Sequence, residues 1–208
     1  MSKNVSSAVN QQGSYFGNPS ETTRRAPFSK KEIESYLLGA LHDGTFSSNR
    51  RFRISQKGKN WLIFLKKILK KIGHNSWIYR EGKNRDVYVL ETLANFLDFD
   101  FNPLTLKTNK EKKAYIRGFF DAEGGMPHNS KARFYIQLTQ SNKEKLKKLK
   151  KLLRELNILT GKIHNPSYRI DPKYWRMYIL AKSHKDFIGK INSWHPKKIL
   201  LLRKRVKI

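Results

Sequence analysis

The sequence contains no cysteine, which excludes disulfides, thiolate nucleophiles and cysteine-held zinc. Its six histidines, at positions 42, 74, 128, 164, 184 and 195, lack the spacings that place two ligands on one metal. A metal here must therefore be a hard cation held by oxygen. Acidic residues are also scarce: 16 Asp and Glu stand against 44 Lys and Arg, for a formal net charge of +28. An excess of that size speaks about partners, and it favours nucleic acid or, less often, an anionic membrane surface. No apolar run approaches the roughly 18 residues that read as a membrane span. The N-terminal "MSKNVSSAVNQQGSYFG" also lacks the apolar centre of a signal peptide. The protein is expected to be soluble and intracellular, in cytoplasm, nucleoid or an organelle, and neither secreted nor membrane-bound.

What is present is 208 residues, enough for one large domain or two fused small ones. Residues 1–27, rich in Ser, Asn, Gln and Gly, read as a flexible arm. Two halves with the same order of features come after it, 28–104 and 105–208. In the first, "SKKEIESYLLGALHDG" reads as a helix with Ser29 as N-cap and Glu32 completing a capping box. In the second, Asn109 takes the cap position before "KEKKAYIRGFFDAEGG". Each helix ends in an acidic residue followed by glycine, Asp43-Gly44 and Glu123-Gly124.

Strand-like segments closing on glutamine come next, 51–57 and 133–140. Amphipathic helices succeed them, with apolar stripes Leu62, Leu65, Ile68, Leu69, Ile72 and Leu146, Leu149, Leu152, Leu153, Leu156. Two further strands are expected in each half, around "GKN" and around a longer loop. Closing helices are expected near 91–98 and 183–193, with a basic helix at the C-terminus. The fold class is α+β, with two pseudo-symmetric αββαββα repeats.

Period-two alternation puts Phe52, Ile54, Ile136 and Leu138 on core faces. The opposite faces carry Arg51, Arg53 and Ser55 in one half and Arg133, Tyr135, Gln137 and Thr139 in the other. Arg80, Arg85, Lys162, His164, Arg169 and Arg176 lie in the hairpin segments beside them. Such side chains suit hydrogen bonding to base edges and phosphates, and the alternative is a merely solvated face.

The stretch "YIRGFFDAEGG" closely resembles the signature helix of LAGLIDADG homing endonucleases, and "YLLGALHDGTF" resembles a degenerate first copy. Two such copies are similar to the single-chain, pseudo-symmetric branch of that family, over about residues 31 to 195. The resemblance implies a saddle of antiparallel sheets around two central packed helices, and site-specific hydrolysis of both strands of a long asymmetric DNA target. It assigns the metal site to Asp43 and Glu123, with the main-chain carbonyls of His42 and Ala122. Gln56, Lys57, Gln140 and Lys182 are implied as the polar and basic residues around it. The implied cofactor is Mg2+ or Mn2+, with Ca2+ binding without cleavage. Double-stranded DNA is the expected partner of an intron-encoded monomer. The alternatives are an intron maturase that binds RNA and a cleavage-deficient DNA-binding relative.

Asp121, two residues from Glu123 and about 200° around the helix, is assigned a structural role. The first copy departs from the pattern. Counted back from the acidic-Gly pair, Leu38 and His42 occupy the places of Gly118 and Ala122. Counted forward from Gly39, Asp43 arrives one residue early, so the helix is either rotated or ends a residue sooner.

Overall fold

Ser29 starts the first helix by satisfying two backbone donors reciprocally. Its hydroxyl accepts from the Glu32 N–H (3.2 Å), and the Glu32 carboxylate accepts from the Ser29 N–H (2.9 Å). The computed structural model describes residues 28–47, 50–129 and 131–206, with Asp43 and Val206 described by their main chain. The arm expected over 1–27 lies outside the described residues.

Helix α1 runs Lys30–Ala40 and tightens into a 3-10 turn over Leu41–Asp43. Strands β1 (Gly44–Phe46) and β2 (Phe52–Lys57) come next, then α2 (Asn60–Lys71) and the hairpin β3 (Ser76–Arg80) and β4 (Val87–Thr92). The second repeat has α3 (Asn109–Glu123), β5 (Gly124–Gly125), β6 (Gln137–Gln140), α4 (Lys143–Glu155) and β7 (Trp175–Tyr178). The short α5 (His184–Lys190) and the basic α6 (Pro196–Val206) complete it. All pairings are antiparallel, in the orders β1-β2-β4-β3 and β5-β6-β7. No described helix is long and apolar enough to cross a membrane.

Four expectations change in detail. The cap of α3 is Thr108, whose hydroxyl accepts from the Glu111 N–H (3.2 Å) while Glu111 accepts from the Thr108 N–H (3.4 Å). The strand expected over 133–140 shrinks to four residues, because β5 is only two residues long and its pairing ends at Gly125↔Gln137. Residues 160–167 form isolated bridges, Thr160↔Ile179 and His164↔Arg176, rather than a continuous strand. No helix forms near 91–98: Glu91 and Thr92 stay in β4, which is paired on both sides (Arg53↔Glu91↔Trp77, Phe52↔Thr92↔Ser76).

The core divides with the repeats and is stitched across the central helices. One cluster packs Leu62, Leu65 and Leu69 of α2 under β2 and β4, and includes Ala114 from α3. The other packs the whole expected leucine stripe of α4, Leu146 to Leu156, under β6 and β7, and includes Leu38 from α1. Of the α2 stripe only Ile68 stays half-buried, and Trp61 takes a buried place instead.

Candidate active site and nucleic-acid interface

Two glycines set how closely α1 and α3 approach. A Cβ at Gly39 would overlap the Tyr115 main chain and lie 2.8 Å from the Phe119 nitrogen. At Gly118 it would overlap the Tyr36 main chain and lie 2.8 Å from the Ala40 nitrogen. The relation is reciprocal, which makes Gly39 the counterpart of Gly118 and Tyr36 that of Tyr115. The helices run in the same sense, since their first turns line one groove with Lys31, Glu34 and Ser35 beside Glu111. Both C-terminal ends therefore reach one edge, with the Leu41–Asp43 turn lying against α3.

The missing residue of the first motif is absorbed by pitch. From Gly39, one α step and three 3-10 steps advance about 7.5 Å, as do the five α steps from Gly118 to Glu123. The strands beyond the two helix ends are in register: Gly44 pairs with Ile54 and Gly124 with Leu138, so Gln56 and Gln140 stand at matching positions. The main chain thus brings Asp43 and Glu123 to equivalent places.

Behind this edge, each repeat anchors its neighbour through a tyrosine. Tyr36 donates to the Asp121 carboxylate (2.7 Å), and Tyr115 lies 2.6 Å from His42 Nε2, so His42 stands where Asp121 stands. Asp121 is buried and also accepts from Ser193 Oγ (2.5 Å) and from the Trp194 and His195 N–H groups (2.9 and 3.1 Å). Burial pushes its carboxyl up, opposed by these donors. The geometry agrees with a structural role for Asp121. Tyr36 in turn accepts from Trp61 Nε1 (3.0 Å).

Burial, with help from the Lys145 charge, lowers the His42 pKa to about 3, so its ring is neutral. Gln140 Oε1 accepts from the Ser141 N–H (2.7 Å), which turns its amide nitrogen toward His42 Nδ1 at 3.5 Å. This orientation assigns Nδ1 as acceptor and Nε2–H as donor to Tyr115.

Lys198, from α6, was not singled out by its sequence context. Its ammonium reaches the carbonyls of Phe120 (2.6 Å), Asp121 (2.8 Å) and Gly124 (2.7 Å), countering the negative end of α3. Thr139 Oγ1 donates to the Glu123 carbonyl (2.9 Å). Gln56 and Lys57 line a cavity with Lys59, Trp61, His195 and Lys197 at the end of β2. Lys182 lies in a 3-10 turn past Tyr178. Because β7 is antiparallel to β6, that end points away from Glu123.

The groups that the sequence resemblance assigns to a metal, Asp43, Glu123 and the main-chain carbonyls of His42 and Ala122, would offer oxygen donors only. Such a set fits a hard divalent cation and offers nothing to a soft one. Among the described residues no group of three or more His, Asp or Glu gathers there, so water and phosphate oxygens would complete such an ion's shell.

Residues 110–192 match the family described as LAGLIDADG-like domain. The matched stretch runs from α3 through α5 of the second repeat. The chain's two-repeat α+β fold is that of I-DmoI, a homing endonuclease. A crystal structure of I-DmoI with DNA and Mn aligns at TM-score 0.61 and 19% identity, over 79% of this chain and 98% of that one. Further I-DmoI complexes with DNA contain Mg or Ca. Full-length WhiA from Thermatoga maritima aligns at TM-score 0.63 and 21% identity, over 88% of this chain and 63% of that one. An uncharacterized protein of Methanocaldococcus jannaschii is 30% identical over 146 residues, 64% of this chain and 54% of its own length. The chain thus spans about half the length of that curated relative.

The two sheet faces differ in chemistry. The first presents Arg53 and Ser55 from β2, with Arg51 just before it, beside Trp77, Tyr79 and Glu91. Arg51 stacks over Trp77 (4.9 Å) and pairs with Glu91 (3.3 Å). The second presents Gln137 and Thr139 beside Arg176 and Tyr178. Arg176 packs over Tyr178 (5.2 Å) and donates to His164 (3.3 Å), while Tyr135 meets Tyr178 edge-on. Arg80 is tied to the Arg85 carbonyl (2.9 Å), and Lys162, Arg169 and Arg133 are exposed.

Proposed function

We propose that this protein is a site-specific DNA endonuclease of the homing type, encoded within an intron, that hydrolyses both strands of a long asymmetric duplex as a monomer. The observation that carries this reading is the reciprocal packing of Gly39 and Gly118, which brings the main chain of Asp43 and Glu123 to one edge between the two sheet faces. The sheet faces hold the duplex backbone and read base edges, with the unlike residues of the two repeats matched to unlike half-sites. Asp43, Glu123 and the carbonyls of His42 and Ala122 would hold Mg2+ or Mn2+, and Ca2+ in their place would not support cleavage. When bound, the ion would supply Lewis-acid chemistry, lowering the pKa of an attacking water and stabilising the departing 3′ oxygen. Gln56, Lys57 and Gln140 orient that water and the phosphate. Lys182 faces the far end of the target, and its contribution is to backbone binding.

The test is nicking and linearisation of a library-selected duplex with Mg2+ present. Asp43→Asn and Glu123→Gln are expected to abolish cleavage and retain affinity, whereas cleavage by both variants at the original rate would refute the assignment. One observation favours a second reading, a binding-only relative or RNA-binding maturase: Lys198 already places a fixed cation on three carbonyls at the end of α3. Under that reading no divalent ion yields cleavage, and affinity for duplex DNA or intron RNA is unchanged in both variants.

A further inference from the structure

The first sheet face places two acids among the arginines expected to touch DNA. Glu91 sits on β4 directly across from Arg53, its side chain only 8% exposed, where a carboxylate needs partners to be tolerated. It has three: it accepts from Tyr79 (2.7 Å), and it pairs with Arg51 Nη1 (3.3 Å) and with Arg53 Nε (3.1 Å). Burial opposes its ionisation, but the bonds from Tyr79 and Arg51 and the two guanidinium charges outweigh it and hold the carboxyl below its usual range. Arg53 Nη2 is occupied as well, by Tyr79 Oη (3.1 Å) and Glu81 (3.1 Å), the latter acid 42% exposed.

Arg51, Arg53, Glu81 and Glu91 together carry no net charge, in a chain of +28. A phosphate approaching this cluster gains from two guanidinium groups and loses against two carboxylates, so the Coulomb term nearly cancels. A neutral acceptor pays no such cost. Among the described residues Arg53 Nη1 has no partner, and its N–H groups remain for an acceptor from outside. Among base edges, the N7 and O6 of guanine are the acceptors that arginine most often meets. The corresponding position of the second repeat is the neutral Gln137, set by Ile54 and Leu138 occupying the same register.

We infer that Glu81 and Glu91 convert Arg53 from a phosphate contact into a reader of base edges, with Glu91 as fixed anchor and Glu81 as the neutralising partner nearest solvent. The inference rests on the DNA-binding reading of this face, and its test separates the two. Affinity for a mixed-sequence duplex is measured across a salt series for the full chain and for Glu81→Gln, Arg53→Gln and the double variant, with thermal unfolding recorded for each. Glu81→Gln is expected to raise affinity about threefold to tenfold and to steepen the salt slope by roughly 0.9, the increment of one added phosphate contact. Arg53→Gln alone is expected to leave the slope unchanged and to flatten base preference in a binding selection. The effect of Glu81→Gln is expected to vanish in the Arg53→Gln background.

The inference is overturned if Arg53→Gln by itself lowers the slope by about 0.9, because Arg53 is then already a phosphate contact. It is equally overturned if Glu81→Gln changes neither affinity nor slope. Absence of any duplex binding by the unaltered chain would instead remove the DNA reading on which both stand.

Discussion

Gly39 and Gly118 each lie against the other's helix backbone, so that neither helix has room for one additional carbon at the crossing. The neighbour on both sides is main chain, which cannot swing aside as a side-chain tip can. Gly39→Ala and Gly118→Ala are each expected to cost about 3 kcal/mol or more, read as a lower urea midpoint. A loss below about 0.5 kcal/mol, the scale of an ordinary surface change, would mean that the helices do not meet here.

Asp121 should be hard to replace. Four donors converge on its carboxylate, from Tyr36, Ser193, Trp194 and His195. Asp121→Asn turns an NH2 group toward some of them and is expected to cost roughly 2–4 kcal/mol. The C-terminal segment should become protease-sensitive before the rest of the chain, since Ser193 to His195 lose their tie to α3. Uniform sensitivity along the chain would count against that tie.

Lys198 makes a separate prediction about the end of α3. Lys198→Met removes one donor from each of three carbonyls, of which that of Phe120 keeps the Gly124 N–H, and is expected to lower stability by about 2–3 kcal/mol. If it also positions Glu123, Mg2+-dependent cleavage should fall further than the unfolded fraction accounts for. Cleavage that tracks the folded fraction would make Lys198 a structural cap only.

Acid should destabilise the fold through two histidines. Burial lowers the pKa of His42 to about 3 and of His195 to about 4, the latter aided by Lys198 and Lys197. Both are neutral when folded, while the unfolded chain takes up protons below about pH 6.5. Their contribution is therefore complete above pH 6.5 and is lost as pH falls toward 4, with a slope of up to about 1.4 kcal/mol per pH unit for each group. Asp121, raised by burial, works in the opposite sense and offsets part of that loss. His42→Gln should flatten the acid limb of a plot of unfolding free energy against pH, and an unchanged limb would refute the role of His42.

Much of this architecture is legible in the sequence alone. The leucine stripe of α4, the capping box at Ser29 and the equivalence of Gln56 with Gln140 come from local patterns of period two, three and four. What local pattern misses is made by partners distant in the chain. Glu91 looks like the start of a helix until strands on both sides claim it and two arginines neutralise it. Lys198 is one lysine among many, and only the fold sets it on α3. The cap at Thr108 was readable, since Thr108 and Glu111 have the same spacing as Ser29 and Glu32. The ambiguity at Gly39 was of another kind, because two ways of counting fit the letters and only packing distinguishes them.

The 3-10 turn at Leu41–Asp43 has a consequence for how such chains are compared. The central pair keeps axial distance rather than residue number, so a deletion that breaks any letter-by-letter alignment leaves the next strand where it was. The family match covers 110–192 and leaves the first repeat out. Aligning helix ends by length in ångströms rather than by residue count would bring out half-motifs of this kind.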